Sequence, residues 1–369
     1  MIIDGHAYCF PPLGEANGFP SPAEHLRYVQ REMADHHQPV WRLRDRALAG
    51  DNSMLAEPGD DGTIAALKDV AFRSGGHGRL VWTVDGEDYA KQYLPPYTVD
   101  SSHSPETLVA QMDYLGVDRA VLHTNPILGL LNDYTADCVR RFPDRLIGLA
   151  SVKEWEIDTD PEGQGREVER AYADGLVGLQ FVVNARWRSG NHAPWDGPAC
   201  RPFWDGVAAL GRPILFTIVP HGPGPELDGY LEQLRVLRGW LERYPEVPAV
   251  LTHGFPWRLF IDGDRLSFPD VLFEPFRASG AMLQLLFHIS LGNVWDYPYL
   301  ELRSATEQLV GRIGSERLMW GTDMPNVERF CNYRQTLDTF RVHHRGVIDD
   351  RDIDNITGET ARRLFVGEA

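Results

Sequence analysis

Four short stretches of the chain carry side chains able to do chemistry. Asp4-Gly5-His6-Ala7-Tyr8 opens the sequence, residues 216–221 lie in PILFTIVPHG, His253 lies in VLTHGFPW, and Asp323 lies in RLMWGTDMP. Histidine exchanges protons near neutral pH and offers a nitrogen lone pair to a metal. Aspartate serves as a general base or an anionic ligand. Any one of them alone reads as an ordinary structural residue. Their common placement gives them weight, because each stands at or just beyond the end of an apolar, strand-like run.

Those strand ends belong to a regular alternation. Ser104-Pro105-Glu106 starts a helix, since Ser can cap it and Pro suits its first turn. Leu108, Met112 and Leu115 recur at helical spacing, and Gly116 fits the stop. A strand over 119–123 follows. Helices over 134–142, 166–174, 203–210, 227–243, 268–277 and 299–313 then alternate with strands over 146–152, 177–183, 213–219, 249–252, 281–289 and 317–321. With Ile2-Ile3 at the start, eight strands result. The alternation predicts a parallel sheet, and eight units predict a closed (β/α)8 barrel with its active site at the C-terminal strand ends. Residues 1–369 read as one barrel domain. Residues 11–103 form an insertion after the first strand, too long for an ordinary βα loop. Inside it, Ser21-Pro22 opens a helix to about His37, and residues 79–93 spell a hairpin around Asp85-Gly86. The insertion leaves from the catalytic face and is expected to lie over the mouth as a lid.

Composition narrows the partners. The formal net charge is −17 and no dense Lys/Arg face is present, which argues against nucleic acid or an anionic membrane. No apolar run approaches the roughly 18 residues of a membrane span. No GxGxxG follows the first strand, so no nucleotide cofactor is expected. Four scattered cysteines and the absence of a signal-like start read as a cytoplasmic protein with reduced thiols. A small-molecule substrate is the expected partner, and a homo-oligomer stays open.

Several of these segments carry a family likeness. SPETLVAQMDYLGVDRAVL, RFPDRLIGLASV with GLVGLQ, VLTHG, RLMWGTDMP and ITGETARRLF resemble the amidohydrolase-related family. That family includes aminocarboxymuconate semialdehyde decarboxylase, resorcylate-type decarboxylases and pyrone-dicarboxylate lactonase. The resemblance covers the opening strand and nearly everything from residue 104 onward. It implies a metal held by HxH on strand one, His on strand five and Asp on strand eight, with a proton-transfer His on strand six. Carried over, His6 and Asp323 match ligands, and His253 matches the catalytic histidine. Tyr8 stands where the second histidine should be, and Thr217 stands in place of the strand-five ligand. His221 substitutes only if its loop folds back over the barrel.

The catalytic pair expected is therefore Asp323 and His253. A single Zn2+ or Mn2+ would be held by His6, His221 and Asp323; metal-free hydrolysis, with Asp323 as base on water, is implied equally by the lactonase branch. Tyr8, Arg186, Arg188, Trp257 and His288 are candidates for contact with substrate, and His123 after the second strand is a further pocket candidate. The arginines suit carboxylate recognition, whereas His288 also reads as a buried, satisfied residue. The function expected is hydrolysis of a small lactone, cyclic amide or ester bearing a carboxylate. Metal-dependent, non-oxidative decarboxylation of an aromatic or unsaturated acid is the alternative, and a non-catalytic binding barrel is the third reading.

Overall fold

The computed structural model describes residues 1–49, 53–220 and 226–367. Eight strands lie parallel in one sheet and in sequence order: β1 (Ile3–Ala7), β2 (Arg119–Leu122), β3 (Leu146–Ala150), β4 (Gly178–Val182), β5 (Ile214–Thr217), β6 (Ala249–Leu251), β7 (Met282–Leu285) and β8 (Leu318–Trp320). The two edges meet. Ala7 bridges Met324 in parallel, and the Tyr8 and Asp323 N–H groups donate to Met324 O and His6 O, each at 2.8 Å. The eight-stranded barrel closes through these bonds.

Alternation along the strands builds the interior in layers. Ile3, Val121, Ile147, Leu215, Val250 and Met319 form an apolar floor inside the barrel. Two residues further toward the C-terminal ends, the same inward direction carries His123, Thr217, Thr252 and Gln284. On β1 the register with β2 shifts between Asp4 and Ala7, a bulge that places His6 in this polar layer as well. Outward-facing residues pack under the helices in a large core that includes Trp204, Trp240 and Trp320.

The insertion is a small α+β unit. Its antiparallel sheet runs in the order Trp41–Arg42, Glu87–Gln92, Arg79–Val84, Arg73–Ser74, beside helix Pro22–Asp35. Asp85 and Gly86 have φ of 51° and 77°, the primed turn that Asp-Gly favours. Ser21 caps the helix by accepting from Glu24 N, and the buried Lys91 ammonium donates to Met33 O and His36 O at its far end. Val29, Met33, Leu55, Leu80 and Trp82 form its core, which continues into Tyr8 and Phe10 of the barrel chain.

Two strands end earlier than the apolar pattern suggested, which moves two candidate residues. β4 stops at Val182 and gives way to helix Val183–Arg188, which carries Arg186; β7 stops at Leu285, and His288 sits in helix Phe287–Leu291. Among the described residues, no helix is long and apolar enough to cross a membrane. All four cysteines are buried free thiols.

Candidate active site

Each reacting side chain sits on a local device that aims it. His253 and Asp323, just past β6 and β8, both adopt the left-handed region, with φ of 60° and 68°. For residues bearing a Cβ this costs about 1–2 kcal/mol each, so the surroundings must hold them there. At Asp323 the hold is its N–H bond to His6 O. At His253 it is Trp257, wholly buried, whose indole Nε1 donates to His253 O at 2.8 Å. Gly254 makes room for that ring: a Cβ there would come within 1.9 Å of Trp257 Cζ2. Asp4, fully buried, ties the first strand to the segment carrying Asp323. Its Oδ1 accepts from His6 N (3.0 Å) and Thr322 N (3.1 Å), and its Oδ2 accepts from the Thr322 hydroxyl at 2.6 Å. Burial raises its pKa to about 7 in spite of those donors.

The proton positions follow from the bonds. The Gln284 amide nitrogen donates to Gly5 O at 2.7 Å, so its oxygen, 2.8 Å from His6 Nδ1, accepts. His6 therefore carries its proton on Nδ1 and turns the Nε2 lone pair toward the Tyr8 hydroxyl, which donates to it at 2.8 Å. Burial and the neighbouring histidines hold the pKa of His6 well below normal, and burial lowers that of His123, stacked on it at 3.5 Å, to about 3. Burial, then the Asp323 charge, pushes the Tyr8 hydroxyl well above the ordinary phenol value, so it acts as a neutral donor. Asp323 Oδ1 lies 3.2 Å from His253 Nε2 and 3.5 Å from His6 Nε2.

His6, His253 and Asp323 thus present three donor atoms within 4.8 Å of one another. Ligands on one tetrahedral ion are separated by roughly 3.3–3.6 Å, given bonds of about 2.0–2.2 Å, so the spacing fits a divalent cation. The donor set is incomplete on two sides. The His6 lone pair already receives the Tyr8 proton, and Thr217 Oγ1 is engaged by Gln180 and Thr252. His221 lies outside the described residues.

These groups open onto a cavity of about 390 Å3 at the barrel mouth. Tyr8, Thr217, His253 and Asp323 line its base, and Glu32, His36, His37 and Tyr93 reach it from the insertion. Residues 26–366 match the family model described as Amidohydrolase. The chain belongs to this family. No curated protein matches it. Among solved structures, this amidohydrolase is similar to one from Acinetobacter baumannii described as a probable 2-pyrone-4,6-dicarboxylic acid hydrolase with citric acid bound. That likeness has 18% identity and a TM-score of 0.55, and covers 72% of this chain and 90% of the other. The 2,6-dihydroxybenzoate decarboxylase from Rhizobium shares 21% identity over 72% of this chain and 89% of its own, at a TM-score of 0.51. A dihydroxybenzoic acid decarboxylase from Polaromonas, with manganese and 2-nitroresorcinol bound, shares 22% over 73% and 88%, at 0.52. Both branches of the group to which the sequence motifs pointed are among these neighbours.

The fold of this amidohydrolase brings together most, though not all, of the residues singled out from the sequence. Tyr8, Arg188, His253, Trp257 and Asp323 line the one cavity, with His6 buried beneath Tyr8. Arg188 is already paired there with Glu32 and Asp35. Arg186 is not at the mouth: its guanidinium is buried against Asp158 and Glu154 O, and it borders a separate groove. His288 is likewise elsewhere, bonded through Nε2 to Thr339 Oγ1 at 2.9 Å and held neutral by burial, with a pKa of about 3. Asp4, Gln284 and Arg329 are functional candidates the sequence reading did not single out. The i, i+2, i+4 spacing of Asp4, His6 and Tyr8 was the available signal for the first, whereas Arg329 lies in a loop with no periodicity to read.

Proposed function

We propose that this amidohydrolase hydrolyses a small lactone, cyclic amide or ester bearing a carboxylate, in the barrel-mouth cavity. The observation that carries this reading is the 3.2 Å contact of Asp323 Oδ1 with His253 Nε2 on two strained turns facing that cavity. Asp323 takes a proton from water as the water oxygen adds to the substrate carbonyl carbon. The bond from that carbon to its leaving oxygen or nitrogen then breaks. His253 hands the leaving atom a proton through Nε2, and the proton held on Asp323 replaces it. Tyr8 keeps its own proton, donates it in a hydrogen bond to His6 Nε2, and shapes the floor of the cavity. In a metal-bound form His6, His253 and Asp323 would instead hold a Zn2+ or Mn2+ ion, which would supply Lewis acidity to the carbonyl or to water; the Tyr8 hydroxyl would then leave His6, and His253 would give up its role as proton donor. Residues 11–103 serve as the lid, since Glu32, His36, His37 and Tyr93 form one wall of the cavity.

The three-donor spacing also favours a second reading, non-oxidative decarboxylation of an aromatic acid at a metal. One experiment separates them: incubation in 18O-water with a panel of carboxylated lactones and of hydroxybenzoates, with and without added Mn2+. Hydrolysis places one 18O in the product carboxylate and releases no CO2. Stoichiometric CO2 release from a hydroxybenzoate, with no lactone opened, would overturn the hydrolase reading.

A further inference from the structure

We propose that Arg329 binds a carboxylate of the substrate, at the seam where the insertion meets the barrel; this rests on the hydrolase reading and specifies which end of the cavity takes the substrate anion. Arg329 lies six residues beyond Asp323, in the loop after β8, and lines the same cavity. Its guanidinium is held in place without being neutralised. Nη1 donates to Tyr93 O and lies 3.5 Å from His36 Nε2, and the group sits 5.6 Å from the centre of the Tyr93 ring. Its Nε is buried without a hydrogen-bond partner, and among the described residues no carboxylate lies within ion-pairing distance.

The other charges around the cavity sharpen the point. Arg188 is committed to Glu32 and Asp35. Glu226 stands exposed at the rim, and Asp323 faces His253 and His6. Arg258, also at the rim, bonds Ser290 O and Asn293 and has no carboxylate partner among the described residues. Among the described residues Arg258 and Arg329, which line the cavity from the barrel loops, are therefore left without an ion-paired carboxylate. His37, between these arginines, reports it: burial, then Arg258 and Arg329, lower its pKa to about 4. A partly desolvated guanidinium without an anion is costly, and its planar fork matches a carboxylate. Asp323 and Arg329 line the same cavity, and the charges of Asp323 and Glu32 both act on the guanidinium. The ligand class is thus a compact molecule whose carboxylate is displaced from the bond being cleaved.

Binding can be measured without turnover, by calorimetry on the full chain, with isophthalate and its uncharged isostere isophthalamide. Wild-type protein should prefer isophthalate by at least roughly 10-fold, and Arg329→Gln should weaken isophthalate by roughly 10- to 100-fold while leaving isophthalamide nearly unchanged. Arg329→Lys, which keeps the charge and loses the fork, should fall between them. Arg140→Gln, on the outer surface beside Asp137, should match wild type. Circular dichroism checks folding; if Arg329→Gln does not fold, the selective loss of isophthalate over isophthalamide in Arg329→Lys decides. Equal isophthalate affinity in wild type and the folded Arg329 variants overturns the proposal, as does no wild-type binding below about 10 mM. Arginine-dependent binding with no lactone opened would uphold this site and remove the hydrolase reading.

Discussion

Gly254→Ala puts the smallest possible perturbation beside the reacting pair, and the structure sets its size. Gly254 has φ of +80°, where an added Cβ costs about 1–2 kcal/mol. That Cβ would also stand 1.9 Å from Trp257 Cζ2 and 2.7 Å from Gln284 O. The backbone oxygen cannot retreat, and the indole is wedged against Phe287 with ring centres 4.6 Å apart. Overpacking of this kind costs a further ~1–3 kcal/mol. The expected loss is about 2–5 kcal/mol, read from urea unfolding midpoints at constant m-value. Gly263→Ala is the control, with φ of +65° and nothing within 4 Å of its added Cβ, so it should lose only the backbone part. Moving Trp257 also disturbs its bond to His253 O, and a misaimed imidazole should lower turnover by about 10²-fold. If Gly254→Ala is no less stable than Gly263→Ala and turns over normally, the account of how His253 is held is wrong.

Four further outcomes are expected. Asp323→Asn should reduce turnover by at least ~10²-fold with little change in unfolding midpoint, and near-normal turnover would remove Asp323 from its role. Tyr8→His combined with Thr217→His should raise zinc or manganese occupancy measured by elemental analysis on dialysed protein; unchanged occupancy would show that these two positions do not limit the site. Trp82→Ala, in the core of the insertion, should destabilise by about 3–5 kcal/mol in thermal or urea unfolding, and a change below 1 kcal/mol would mean the insertion core is not as packed as described. Stability should be greatest across roughly pH 4.5–6.5, where the two opposing losses balance, and fall on both sides. Burial raises Asp4 and Glu154 from 3.8 and 4.5 to about 7 and 8, so their contribution, full below the unfolded values, is lost as pH rises through the folded ones. Burial lowers His123 and His288 from 6.5 to about 3, so theirs is full above 6.5 and lost on acidification. Glu154→Gln should flatten the alkaline limb between roughly pH 6.5 and 8, and an unchanged slope there would count against this assignment.

The barrel was legible because strand and helix periods are local. Leu108, Met112 and Leu115 announce a helix to any reader, and the boundaries 105–115 and 119–122 fall within a residue or so of those expected. The convergence of His6, His253 and Asp323 was legible for a related reason: in a parallel barrel every strand end points to the same mouth. What could not be read was the second layer of contacts. Gln284 fixes the His6 tautomer across 278 residues of sequence, and no spacing rule carries that information. Arg186 and His288 went astray because an apolar strand and a short buried helix look alike over a few residues, so each strand end was set too late. Arg329 escaped because its significance is a missing partner, and only the packed cavity shows which arginines are already neutralised.

The bond between Asp4 and Thr322 spans 318 residues, joining the first strand to the last. During synthesis the N-terminal strand emerges long before the segment that completes it. Until then Asp4 lacks its Thr322 donors, and the barrel mouth lacks the Asp323 carboxylate that faces His253. The reactive pair is consequently switched on by the last act of assembly rather than by any one element. A nascent or truncated chain ending before residue 318 would carry His6 and His253 yet have nothing to activate water. Closing the barrel and arming the enzyme are the same event.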